Sequence, residues 1–98
     1  MDRATILNRL KARERELRHL GLAGLSLFGS TARGEAGPAS DIDLAATFDP
    51  DARVGMFKFA AIEAHLRDLL GAPVDLVGEP ARHARMQAEI DRDRVRVF

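Results

Sequence analysis

Two short segments limit the folds open to this chain more than anything else in it: Leu27-Phe28-Gly29-Ser30-Thr31-Ala32-Arg33-Gly34 and, soon after, Ser40-Asp41-Ile42-Asp43-Leu44. Successive side chains of a strand point to opposite faces. A strand from Asp41 to Thr47 therefore sends Asp41 and Asp43 out on one face while Ile42 and Leu44 enter the core. Two like charges so placed cost free energy unless a cation lies between them, and hard carboxylate oxygens select magnesium or manganese. Gly29 and Ser30 answer a different need. Glycine lets the backbone approach a phosphate closely, and a serine at a helix start aims amide N–H groups, its hydroxyl and the helix dipole at an anion. Arg33 follows by one helical turn, placed to reach a phosphate or to pair with a carboxylate such as Asp41. Alone, a Gly-Ser pair is usually a turn and an Asp-x-Asp usually a loop or cap; both together, in this order, are far more specific.

The rest of the chain alternates helices with short strands. Ile6, Leu7, Leu10, Leu17 and Leu20 recur at helical spacing from a cap at Asp2 until Gly21, which predicts one helix. Leu25–Phe28 reads as a strand stopped by Gly29, and residues 30–37 as a helical turn and loop closed by Pro38. Phe57, Phe59, Ile62, Leu66, Leu69 and Leu70 mark a second helix, ended by Gly71 and Pro73. Val74–Val77 makes a third strand, Pro80 suits the first turn of a helix running to about Asp91, and residues 95–98 add a terminal strand. The third strand carries Asp75 between Val74 and Leu76, a poor place for a solvated acid. If that strand lies beside the second, Asp75 joins Asp41 and Asp43 in a three-carboxylate site able to hold cations or a cation and a base.

Composition narrows the function. A chain of 98 residues with 46% hydrophobic and 31% charged side chains reads as one domain, residues 1–98, with a modest core and a well-solvated exterior. Lysine plus arginine and aspartate plus glutamate balance at 15 each, without the basic excess that nucleic-acid binding draws on. The absence of cysteine excludes disulfide frameworks and thiolate metal sites. No apolar run is long enough for a signal peptide or a membrane span, so the cytoplasm is the expected compartment. Charge is nonetheless segregated. Residues 1–20 hold six basic groups against three acidic ones, whereas Glu35, Asp41, Asp43, Asp49 and Asp51 form an acidic stretch with no basic residue among them. The basic helix reads as a solvated face or as a surface for docking a partner. His19, His65 and His83 read as surface or capping residues, Met56, Phe57 and Phe59 as core or interface, Phe28 and Phe48 as core, and Thr31 as a solvated hydroxyl.

Gly29, Ser30, Ala32, Arg33, Gly34, Ser40, Asp41, Asp43 and Leu44, with Asp75 within Val-Asp-Leu-Val, follow in order the pattern of the polymerase-beta-like nucleotidyltransferase superfamily. The chain most resembles its minimal nucleotidyltransferase (MNT) family, over nearly its whole length. The resemblance implies an α/β (α+β) fold in which a short mixed β-sheet is flanked by helices. It implies Mg2+ held by Asp41, Asp43 and Asp75, the phosphates of ATP held by Gly29, Ser30 and Arg33, and Asp75 as base for an attacking hydroxyl. MNT proteins of this kind pair with a HEPN-domain RNase toxin. A hetero-oligomer is therefore implied, in which the chain acts as antitoxin by moving AMP from ATP to a tyrosine hydroxyl of the toxin. The contrasting expectation is a module that neutralises its partner by contact alone.

Overall fold

In a computed structural model that describes residues 1–37 and 40–98, a four-stranded sheet forms the centre of the molecule. The elements follow in the order α1 (Arg3–Lys11), α2 (Glu14–His19), β1 (Leu22–Phe28), α3 (Gly29–Ala32), β2 (Ile42–Phe48), α4 (Met56–Leu70), β3 (Val74–Gly78), α5 (Ala84–Asp93) and β4 (Val95–Arg96), with a 3-10 turn at Pro50–Ala52 before α4. Pro38, expected to close the loop after α3, lies outside the described residues.

The strand order is β3-β2-β1-β4, with β1 antiparallel to β2 and β4, and β2 parallel to β3. The sheet is therefore mixed, as expected. A parallel neighbour needs a crossover, and α4 supplies it between β2 and β3. The alternation in β2 works as its sequence requires. Ile42, Leu44 and Ala46 enter the main core with Leu25, Leu27, Val74 and Leu76, under Ile6 and Leu10 of α1, Leu17 of α2 and Ile62, Leu66 and Leu70 of α4. The opposite face is covered more thinly, by α5, whose Ile90 is fully buried against Phe28 and Ala45 with Val77 and Met86 at the margin.

Asp2 caps α1 as expected, accepting the Thr5 amide at 2.8 Å. The single helix expected up to Gly21 is instead two. The backbone leaves helical values at Arg13, whose amide bonds back to Leu10 at 3.1 Å in a tighter turn, and no glycine or proline marks the place. The basic residues there are exposed, and most of them also bond to other groups of the chain. Arg3 donates to the Ala32 carbonyl at the end of α3, Arg9 to Leu70 and Lys11 to Val97, while Arg13 pairs with Glu16 and Arg18 with Glu14. Gly71, at φ +63, ends α4 as expected and returns its amide to Arg67 at 2.7 Å. Pro80 does not open a helix. It follows a cis Glu79–Pro80 bond, and α5 starts at Ala84, because Glu79 is drawn towards Arg94 (2.9 Å) and Gln87 (2.8 Å) while the Ala81 amide bonds Gln87.

The outer edge of β3 is closed by side chains of α4. Glu63 accepts the Leu76 amide at 2.9 Å, and the Arg67 Nε donates to the Val74 carbonyl at 3.3 Å. Exposed strand edges invite further strands, and here the middle of the edge is already paired.

Candidate active site

The site forms where β1 ends and β2 and β3 begin. Register does most of the work, since Asp43 lies opposite Phe28 on one side and opposite Asp75 on the other. Three expected residues, Gly29 through its position after Phe28, Asp43 and Asp75, are thereby brought side by side. Gly29 takes φ +74, a left-handed value that disfavours any side chain, and a Cβ there would run into Oδ2 of Asp43. Glycine is thus needed twice, for the bend out of β1 and for room beside the carboxylate.

Asp43 is half-buried, and its carboxyl is pushed above the ordinary aspartate range, first by burial and then by the negative charges of Asp75, Asp41 and Glu89; Arg33 offsets this in part. All four acids therefore share one electrostatic neighbourhood. Asp41 precedes β2 and is exposed. Asp75 is also exposed, contrary to the buried setting expected from its apolar neighbours. Val74 and Leu76 point into the main core, whereas Asp75 points to the other face at the start of an edge strand, where solvent reaches it. Among the described residues no three such side chains close into a ready-made metal cage, and none of these three aspartates has an ion-pair partner. An all-oxygen, uncompensated donor set is what a hard divalent cation fits.

A concavity of about 350 Å³ opens here, lined by Phe28, Gly29, Ser30, Arg33, Asp43 and Asp75 on the sheet side. Its other wall comes from α5, through Met86, Glu89, Arg92 and Asp93. Sequence reasoning had not assigned these four residues. Their signal was the i, i+3 recurrence of Met86, Glu89 and Arg92, hidden because Pro80 had suggested an earlier start for the helix. A larger hollow of about 540 Å³ beside Glu14, Arg15, Arg18 and His19 contains none of the convergent acids and is set aside on that ground.

Ser30 follows Gly29 in α3, but α3 is only four residues long. Its dipole is correspondingly small, which leaves backbone amides and the Ser30 hydroxyl as the groups available to an anion. Arg33 pairs with Asp93 at 2.6 Å and Glu35 at 3.0 Å, not with Asp41. These carboxylates hold its guanidinium above even its ordinary range, first through the hydrogen bond to Glu35 and then through that to Asp93. Thr31 is buried, not solvated as expected. His65 is a structural partner that joins α4 to α2 through Glu16, whose carboxyl it holds below the usual range. Phe48 packs edge-on against Phe59, with centroids 5.8 Å apart, while Met56 and Phe57 are 80% and 88% exposed and belong to no core.

A model of the nucleotidyltransferase domain family matches residues 6–97. The chain belongs to that family. This nucleotidyltransferase is 41% identical over 69 residues to the protein adenylyltransferase MntA of Thermococcus cleftensis, a match covering 69% of this chain and 68% of the relative. Its fold superposes on a solved structure assigned to the minimal nucleotidyltransferases with a TM-score of 0.81 and 32% identity, covering 97% of this chain and 95% of the other. It also superposes on a chain from the complex of tri-AMPylated Shewanella oneidensis HEPN toxin with MNT antitoxin. There the TM-score is 0.68 at 18% identity, covering 94% of this chain and 71% of that one, a likeness of fold. Among the described residues, no helix of this nucleotidyltransferase is long and apolar enough to cross a membrane.

Proposed function

We propose that residues 1–98 form one minimal nucleotidyltransferase domain that acts in the cytoplasm as an antitoxin, transferring AMP from ATP to a tyrosine hydroxyl of a HEPN-type RNase toxin with which it assembles. The observation that carries this is the register that sets Asp43 beside Asp75, directly under the Gly29–Ser30 turn. Acids that would hold a cation and a turn that would hold a phosphate then meet within one concavity. Support for the acceptor comes from the adenylyltransferase relative and from the AMPylated toxin in the complex of similar fold.

Asp41, Asp43 and Asp75 would hold Mg2+, which when bound lowers the charge on the phosphates and on the developing oxygen centres. The amides after Gly29, the Ser30 hydroxyl and Arg33 bind the triphosphate. The tyrosine oxygen attacks the α-phosphorus, an O–P bond forms, the α–β bridging P–O bond breaks and pyrophosphate leaves with that electron pair. Asp75 takes the hydroxyl proton at its carboxylate. Its exposure suits that role, since an acceptor on another protein reaches an open carboxylate more readily than a buried one.

Incubating the chain with its toxin, ATP and magnesium and weighing both proteins tests this. A toxin heavier by one or more AMP units, on tyrosine, is the expected result. A stable complex with no gain in mass would establish neutralisation by contact alone. Asp75→Asn should keep its fold and lose at least about 10²-fold in transfer rate, the scale of a lost general base.

A further inference from the structure

Two guanidinium groups share one carboxylate at the rim of the concavity. Oδ2 of Asp93 accepts from NH1 of Arg33 at 2.6 Å and from NH2 of Arg92 at 3.1 Å, and Oδ1 accepts from Nε of Arg92 at 3.0 Å. The Asp93 side chain is 4% exposed, while those of Arg33 and Arg92 are 39% and 65% exposed. The anchor is therefore buried and the two cationic heads face outwards. A guanidinium has five N–H donors. Arg92 gives two of them to Asp93, and Arg33 gives one each to Asp93 and Glu35, so both keep donors for a ligand.

Acids and arginines thus meet in one concavity. Asp43 and Asp75 line the sheet side together with Arg33, while α5 brings Arg92 and also Glu89, close enough to act on Asp43, so each wall carries both signs and the two arginines meet where the walls join, at Asp93. A nucleoside triphosphate carries more negative charge than one divalent cation neutralises, and its β- and γ-phosphates must find the remainder in the protein. Among the described residues Arg33 pairs with Glu35 as well as with Asp93, whereas Arg92 pairs with Asp93 alone and feels Glu89 only at longer range. Arg92 is consequently the less tightly paired and the more exposed of the two. Without the carboxylate between them the guanidiniums would repel one another and spread into solvent.

We propose that Arg92 is a further contact for the β- and γ-phosphates of the nucleotide, and that Asp93 is a positioning residue that holds Arg92 and Arg33 together at the rim of the pocket. This rests on the assignment of the concavity to ATP made above. It extends the site to the end of α5, some sixty residues beyond the Gly-Ser turn.

Calorimetric titration of the full chain with magnesium-ATP, and separately with AMP, tests it. AMP lacks the phosphates that Arg92 would contact. Arg92→Ala should weaken ATP binding about tenfold and leave AMP binding within about twofold; Arg92→Lys should recover part of the loss, since lysine keeps the charge but not the fork. Asp93→Asn should also weaken ATP binding, but by less in an Arg92→Ala background than in the wild type, because part of its effect passes through Arg92. Thermal melts of each variant, unchanged for Arg92→Ala, separate binding from folding. Equal loss of ATP and AMP affinity in Arg92→Ala, or no loss of either, overturns the Arg92 contact. Equal cost of Asp93→Asn in both backgrounds makes Asp93 structural and overturns its positioning role. Those results presuppose a wild type that binds ATP. A wild type that binds neither nucleotide, alone or with its toxin, defeats the assignment of the concavity itself and this inference with it.

Discussion

At the residue scale, Gly29 and Asp43 constrain each other. Alanine at position 29 would have to keep φ +74, at a cost of about 1–2 kcal/mol, and would also displace the Asp43 carboxylate. Gly29→Ala should therefore lower stability by about that amount in urea unfolding and reduce transfer by about 10²-fold or more, since misplacement of about 1 Å is enough for such a loss. Asp43 gives a prediction of opposite sign for stability. Its native carboxyl titrates above the unfolded one, so between the two values the native state binds more protons, and stability falls as pH rises through that window. Above it the penalty is constant. In EDTA, Asp43→Asn should melt higher than the wild type at pH 7, with the difference closing as pH falls towards about 4, while transfer is lost. A shift of about 4–8 °C per kcal/mol makes this readable in a domain of this size. Asp41, Asp43 and Gly29 were legible because short-range alternation and a turn specify them. That Asp75 is exposed was not, because its neighbours in sequence belong to the opposite face of an edge strand.

The elements differ in how firmly they are held. Helices α1, α2 and α4 cover the main core, whereas α5 rests on a small second cluster in which Ile90 is its fully buried residue. Ile90→Ala should cost about 2–5 kcal/mol, the range for emptying a buried aliphatic site. The loss should appear first as faster amide exchange in α5, because local opening follows the weakest packing. The strands and α4 could be read closely from sequence, since their periodicity and the Gly71 stop are local. The break at Arg13 could not, as Leu10 and Leu17 keep helical spacing across it and the bend serves packing over the sheet. The start of α5 was misjudged for a related reason. Pro80 is a good first-turn residue by propensity, but Glu79 answers to Arg94, fifteen residues away, where the NH2–Oε2 distance is 2.5 Å. That pairing also holds the Glu79 carboxyl below its ordinary range.

Taken whole, the molecule has balanced charge, yet Asp41, Asp43 and Asp75 gather at one end of the sheet without ion-pair partners among the described residues, while many of the basic groups in α1 and α2 tie elements together. Arg3, Arg9 and Lys11 donate to carbonyls of α3, α4 and the C-terminal segment yet stay exposed, so the basic stretch, expected as a solvated face or a docking surface, is solvated and also braces neighbouring elements. A polyanion gains little from a molecule of zero net charge. In gel shifts at about 100 mM salt the chain should retain no RNA at micromolar concentration; retention that weakens steeply with salt would show a phosphate-binding face. The braced edge of β3 has a further consequence. Since Glu63 and Arg67 occupy the Leu76 amide and the Val74 carbonyl, an extended peptide finds no main-chain ladder beside Asp75 to join. A hydroxyl acceptor in the proposed transfer would then reach Asp75 through contacts other than strand addition at this edge. Under that proposal the choice of hydroxyl would rest on the acceptor's own fold, so loosening that fold should blur the choice even where the local sequence is unchanged.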